Sequence, residues 1–157
     1  MSKVKISTDK GDMIAELYDE ATPITVKNFT DLIGKGFYNG LNFHRVIPNF
    51  VVQGGCPHGT GSGGPGYMFA DELPASGEYK IGSLAMANSG ANTNGSQFFV
   101  ISGDQGVSLS PNYTLFGQVT DGLDSTVTAL DAAGNPSSNG VPPLKEIKIE
   151  SITITES

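Results

Sequence analysis

With 157 residues, the chain is the size of one domain, residues 1–157, and long enough to bury a core without disulfide or metal staples. Sixteen acidic against nine basic residues leave a net charge of −7, which repels phosphate backbones and anionic lipid and so excludes nucleic acid and membrane surfaces as expected partners. The single cysteine, Cys56, excludes an internal disulfide, and the 21 glycines point to many turns.

Val4 and Ile6 alternate with Lys3, Lys5 and Ser7, and Met13, Ala15 and Leu17 alternate with Asp12, Ile14 and Glu16. Asp9-Lys10-Gly11-Asp12 between them predicts a turn, and the whole a β-hairpin. Thr22-Pro23 reads as a helix start, with threonine as N-cap and proline where its missing N–H costs nothing. Val26, Phe29, Leu32 and Ile33 form an apolar stripe at helical spacing, closed by Gly34 or Gly36. Residues 43–46, 50–54, 97–101 and 115–119 are short β-branched and aromatic runs that predict strands. Seven glycines fall between residues 54 and 66, a stretch whose irregularity inside a domain points to function or mobility. A second helix is expected from about Leu123 to Ala133, closed by Gly134. At the carboxyl end Ile147 and Ile149 share one phase and Ile152 and Ile154 the other, so a β-bulge is expected near Glu150-Ser151. These elements suggest a mostly antiparallel barrel or sandwich whose open ends the helices cover.

The usual catalytic devices are missing from the sequence. His44 and His58 do not pair with each other or with Cys56 at metal spacing, so no metal site is expected. There is no Gly-x-Ser-x-Gly elbow, and the glycines from Gly59 to Gly66 lack the Lys-Ser/Thr of a phosphate loop. Non-covalent chemistry without a cofactor is the expectation. His44 reads as a satisfied structural histidine, His58 as exposed, and Cys56 as a small buried filler, with a redox role as the minority reading.

Two segments stand out. One runs Phe43-His44-Arg45-Val46-Ile47-Pro48-Asn49-Phe50-Val51-Val52-Gln53-Gly54-Gly55; the other runs from Met86-Ala87-Asn88-Ser89 through Asn94-Gly95-Ser96-Gln97-Phe98-Phe99. Together they closely resemble the signature regions of the cyclophilins. The resemblance extends to the opening hairpin, the Thr-Pro helix, Gly36-Phe37-Tyr38 and Leu115-Phe116-Gly117, nearly the whole chain. It implies a mainly β fold, a closed eight-stranded antiparallel barrel capped by two α-helices, and peptidyl-prolyl cis-trans isomerase activity.

The resemblance also implies roles. Arg45, Phe50 and Gln53 are the expected catalytic residues, Arg45 donating to the prolyl nitrogen and Gln53 making a polar contact beside it. A lone pair held at that nitrogen cannot conjugate with the carbonyl, and conjugation is the source of the roughly 18–20 kcal/mol rotation barrier. Phe50, Val51, Phe99 and Leu109 are assigned to the proline pocket, with Phe99 facing away from Phe98. Ala87 and Asn88 are expected to pair with the peptide backbone, Gln97 to shape the groove, and Gly59, Thr60 and Gly61 to line a neighbouring pocket for residues before the proline.

Four positions depart from the family pattern. Val51 stands where methionine is frequent, Cys56 where aspartate is common, Ser108 where many members carry tryptophan, and Tyr113, itself an expected substrate-binding residue, where they carry histidine. The chain has no tryptophan, so reduced affinity for the drug cyclosporin is expected with catalysis retained. The expected partners are proline-containing peptides and unfolded chains, met by a monomer. The Gly103–Asn112 segment looks like a bacterial version. No apolar leader and no run near the ~20 residues that span a bilayer is visible, so the expected location is the cytoplasm. The alternative is a proline-peptide binding module using the same groove; the intact Arg45 favours the enzyme.

Overall fold

The computed structural model describes residues 2–75 and 77–156. Eight strands make one antiparallel sheet: β1 Lys3–Thr8, β2 Gly11–Leu17, β3 Arg45–Ile47, β4 Val51–Gly54, β5 Ser83–Met86, β6 Phe98–Ile101, β7 Leu115–Asp121 and β8 Ile149–Glu156. Their order is β3-β4-β6-β5-β7-β2-β1-β8. The opening hairpin forms as its alternation predicts, with Thr8 opposite Gly11 and a tighter turn of Asp9 and Lys10. Thr8 Oγ1 closes that turn, donating to Gly11 O (2.8 Å) and accepting the Lys10 N–H (3.1 Å).

The sheet curls but does not close. Among the described residues no ladder joins the end strands β3 and β8; a single bridge between Asn42 and Lys148 spans the seam there, with Phe43 N–H donating to Ile147 O (3.1 Å) and Gly40 N–H to Ile149 O (2.8 Å). The closed barrel expected from the sequence is therefore corrected to an open, curled half-barrel. The physical reason lies in the end strands. β3 has three residues, and the chain before it meets the start of β8 irregularly, so continuous pairing has nothing to run along. The bulge expected near Glu150 is present. Thr8 pairs with Ile149 and Ser7 with Ser151, which leaves Glu150 unpaired and keeps Ile149 and Ile152 both buried.

Among the described residues three α-helices accompany the sheet. α1, Pro23–Gly34, buries Val26, Phe29, Leu32 and Ile33 as its stripe predicts. Its capping differs from the expectation, because the Thr22 hydroxyl donates to Tyr18 O (3.0 Å) and makes no cap. The free N–H groups of Ile24 (3.3 Å) and Thr25 (2.7 Å) instead donate to the Glu72 carboxylate, a charge well placed at a helix N-terminus. α2, Asp104–Val107, is one turn that the sequence did not announce. The second expected helix forms as a π-helical turn, Leu123–Val127, leading into α3, Thr128–Ala132.

Inside the curl, Phe29 meets Tyr38, Phe98 and Phe116 at ring-centroid distances of 5.3, 5.4 and 5.0 Å. The buried Tyr38 hydroxyl donates to Ser96 O (2.8 Å), so its polar end is satisfied. A second apolar cluster lies on the other face, with Val51, Tyr79, Ala85, Phe99, Ile101 and Leu115 at its centre. The central strands β5 and β6 are thus covered on both faces, and that second face carries the groove.

Candidate functional site

Register puts the groove residues in line. Arg45 on β3 pairs with Gln53 on β4, Gln53 with Phe99 on β6, and Phe99 with Ala85 on β5. Directly opposed residues share a face of a sheet, so a cation, an amide, an aromatic ring and a small apolar side chain form one lateral row. Phe98 and Phe99 split as expected, Phe98 into the inner cluster and Phe99 into the outer one.

Three members of that row, Arg45, Gln53 and Phe99, line a cavity of about 140 Å³ together with Phe50, Val51, Ala87, Asn88, Leu109 and Tyr113. The structure thus brings together nine of the residues expected from the sequence. Its walls are set by loops that are tied down. Phe50 follows Asn49, whose N–H donates to Asp131 Oδ1 (2.7 Å), while Phe50 O accepts the Ser102 N–H (3.0 Å). Tyr79 OH donates to Tyr113 O (2.6 Å) and accepts the Tyr113 N–H (3.2 Å), which fixes the far wall. The Tyr113 ring stands edge-on to Phe99 at 5.4 Å. The cavity therefore sets the apolar side chains of Phe50, Val51, Phe99 and Leu109 beside the polar groups of Arg45, Gln53 and Asn88, an arrangement suited to a small ring carrying a polar bond.

The polar rim is an ordered relay. Arg45 Nη1 donates to Gln53 Oε1 (3.0 Å), and Gln53 Nε2 donates to Gln97 Oε1 (3.1 Å). Gln97 Nε2 donates to the carbonyls of Gly61 and Gly63, both at 2.9 Å. On its other side the Arg45 guanidinium donates from Nε to Asn139 O (3.1 Å) and from Nη2 to Asn139 Oδ1 (3.0 Å). Three of its five N–H groups are so committed. One on each Nη is left without a protein partner among the described residues, and none of the three ion pairs found there involves Arg45. A guanidinium donor pair beside the Phe50, Phe99 and Leu109 side chains can hold a lone pair or a developing negative charge.

A second cavity of about 230 Å³ adjoins the first, sharing Gln53, Ala87 and Asn88, and is lined by Gly61, Ser62, Gly63, Gly64, Tyr67, Met68, Thr93 and Gln97 among others. Gly61 and Gln97, both expected at the groove, line this second cavity. Gly59 and Thr60 line neither cavity: a Cβ at Gly59 would meet Asn42 Oδ1 at 3.1 Å, and Thr60 Oγ1 is hydrogen-bonded to Ser62 Oγ (2.7 Å). The sequence reading missed Ser62 to Gly64, Tyr67 and Met68, although the glycine run had marked the segment, and it missed Asn139, which no motif marks. The Ala87 N–H is already given to Gln97 O (3.0 Å), so what Ala87 offers to a peptide is its carbonyl.

Neighbouring titratable groups behave distinctly. Burial, and then the Arg45 charge, hold His44 below the usual histidine range. It is not the satisfied histidine the sequence suggested, since its buried Nδ1 has no hydrogen-bond partner among the described residues. His58 is exposed as expected. Burial raises the Cys56 thiol, but backbone N–H groups converging on Sγ, Gly63 (3.2 Å) and Gly61 (3.3 Å) among them, outweigh it and leave the thiol below its ordinary value. No three His, Cys, Asp or Glu side chains come together among the described residues.

Residues 3–154 match the family described as cyclophilin type peptidyl-prolyl cis-trans isomerase/CLD. Peptidyl-prolyl cis-trans isomerase B of Bacillus subtilis is 48% identical over 136 residues, covering 86% of this chain and 88% of the relative. A peptidyl-prolyl cis-trans isomerase of Synechococcus elongatus is 47% identical over 121 residues, 77% of this chain and 82% of that one. The crystal structure of a Cryptosporidium parvum cyclophilin type isomerase superposes with a TM-score of 0.88 at 37% identity, covering 99% of this chain and 98% of that one. The same Cryptosporidium protein, in the presence of the dipeptide Ala-Pro, superposes with a TM-score of 0.87.

Proposed function

The chain belongs to the cyclophilin-type peptidyl-prolyl cis-trans isomerases, and we propose that its isomerase activity resides in the 140 Å³ cavity, with Arg45 as the group that lowers the rotation barrier. The observation that carries this assignment is the row Arg45–Gln53–Phe99, which sets a charged donor beside the aromatic and aliphatic side chains of the pocket.

The proline ring enters the pocket between Phe50, Val51, Phe99, Leu109 and Tyr113. The two Arg45 N–H groups left over from Gln53 and Asn139 then face the Xaa-Pro bond. Amide resonance delocalises the nitrogen lone pair into the carbonyl, and rotation localises it on a pyramidal nitrogen. A donor aimed there binds the twisted state more tightly than the planar one, and only such a differential interaction accelerates the reaction. No covalent intermediate is needed. Gln53 orients the guanidinium and offers a polar edge to the substrate. The Ala87 carbonyl and Asn88 hold the peptide backbone, and the 230 Å³ cavity, with Gln97, Gly61 and the adjoining glycines, takes the residues before the proline. Proline-containing peptides are the substrates, in line with the Ala-Pro dipeptide present with the Cryptosporidium relative. Unfolded chains, whose Xaa-Pro bonds isomerise over roughly tens to hundreds of seconds unaided, are the same chemistry on a larger scale. The enzyme acts as a monomer in the cytoplasm, and cyclosporin binds it weakly because Ser108 supplies no indole.

Titration of ¹⁵N-labelled protein with an Ala-Pro tetrapeptide tests the placement. The expected result is chemical-shift change centred on Gln53, Phe99, Ala87, Asn88 and the Arg45 Nε–H. Changes confined to another face of the sheet would move the site elsewhere.

A further inference from the structure

Asn139 sits 94 residues from Arg45 in sequence, yet it takes two of the five guanidinium N–H groups, Nε through its backbone carbonyl (3.1 Å) and Nη2 through its side-chain Oδ1 (3.0 Å). These two donors lie on one edge of the planar fork, and Gln53 holds Nη1 on another (3.0 Å). A guanidinium held at a single point turns about its Cδ–Nε bond. Held on two edges, it has one orientation, and the directions of the two remaining N–H groups are fixed with it.

The backbone of Asn139 makes this double contact available. Its φ of 56° and ψ of 29° are left-handed, a conformation that asparagine tolerates better than most residues. In that conformation its carbonyl and its side-chain oxygen reach the same target. The turn is seated firmly against β3. Gly140 is buried at φ 78°, and a Cβ there would lie 2.9 Å from Val46 O and 2.7 Å from Ile47 Cγ1. Val46 and Ile47 directly follow Arg45 on β3, so the clamp and the arginine it holds share one rigid mount.

We propose that Asn139 is a positioning residue for the isomerisation, acting on the substrate only through Arg45 by fixing the plane in which the free N–H groups meet the prolyl nitrogen. This rests on the role given to Arg45 above. Catalysis by a donor depends on aim as well as charge, since a contact must be best in the twisted state.

Asn139→Gly is the informative variant. Glycine accepts φ 56° without strain and keeps the backbone carbonyl for Nε, so only the Oδ1 contact is lost. Cis-trans exchange of an Ala-Pro peptide is measured for wild type, Asn139→Gly, Arg45→Ala and the double variant. The expected result is a roughly tenfold fall in kcat/KM for Asn139→Gly, the scale of one hydrogen bond to a charged group. The fall is carried by kcat, with KM changed less than about twofold. In the Arg45→Ala background Asn139→Gly has no further effect, because a residue acting through Arg45 has nothing left to position. A second measurement needs no variant: ¹⁵N-detected NMR of the wild-type protein reports restricted guanidinium rotation for Arg45.

Asn139→Gly activity within about twofold of wild type overturns the proposal. So does an equal loss in the Arg45→Ala background, which is the mark of a structural role, or an Arg45 guanidinium that rotates as freely as an exposed one. Full activity in Arg45→Ala itself would instead overturn the role of Arg45, and the two failures are thus told apart.

Discussion

Arg45 and His44 are neighbours in sequence with opposite fates. Arg45 stands at the rim of the groove, while His44 is buried, with 3% of its surface exposed, and that burial and then the Arg45 charge hold it below the usual histidine range. Its pKa in the folded protein lies below the usual 6.5, so the unfolded chain binds the proton more readily. The stability contributed by a neutral His44 is complete above 6.5 and is lost as pH falls below it. His44→Gln is expected to flatten the dependence of melting temperature on pH on the acid side of 6.5; an unchanged slope would assign the acid sensitivity to other groups. Ser108 bears on the proposed weak binding of cyclosporin. It is exposed at the end of α2, next to the pocket residue Leu109. Ser108→Trp is expected to raise cyclosporin affinity about tenfold or more, read by calorimetry, by restoring an aromatic N–H at a packed contact. Equal affinity in the two proteins would remove Ser108 from the explanation.

The elements show where one aromatic pair divides its labour. Phe98 is fully buried among Phe29, Tyr38 and Phe43, while Phe99, with 4% exposed, faces the pocket. Phe98→Ala is expected to cost about 3–5 kcal/mol in denaturant unfolding. Phe99→Ala should cost less stability and raise the KM for an Ala-Pro peptide severalfold; the reverse ranking would contradict the division of faces. Glu72→Ala should destabilise α1 by about 1 kcal/mol, because its carboxylate serves the N–H groups that Thr22 does not. The same elements show what the sequence made legible. β1, β2, β8 and α1 were readable because each has one covered and one exposed face, so the pattern of Val4, Ile6 and Met13 or of Val26 and Phe29 is visible. β5 was not, since Ser83 to Met86 are all buried and alternation vanishes when both faces are covered. The Glu72 cap and the Asn139 clamp were illegible for a different reason: each joins residues far apart in sequence, and only the fold makes them neighbours. The pocket itself was read through resemblance, because the residues alone indicated only a β-rich domain with a glycine-rich segment.

At the scale of the whole molecule, the seam between β3 and β8 is the weak line of the sheet. Bonds from Gly40, Phe43 and Ile149 cross it singly, whereas β6 is laddered on both sides. Hydrogen exchange is expected to be faster at the amides of Gly40 and Phe43 than at those of Phe99 and Val100, and equal protection would mean that the seam behaves as a closed barrel. The groove is built on the laddered strands β4 and β6, while Arg45 stands on β3 at the seam. Its orientation therefore depends on the contacts that span from β3 to Gln53 and to Asn139. The account turns on that arginine. Exchange spectroscopy on an Ala-Pro peptide, comparing wild type with Arg45→Ala at equal concentration, tests it most directly. Strong acceleration by the wild type, reduced about a hundredfold or more in the variant while peptide binding persists, is the predicted result. Acceleration that survives the substitution would contradict the mechanism and leave the cavity without its central group.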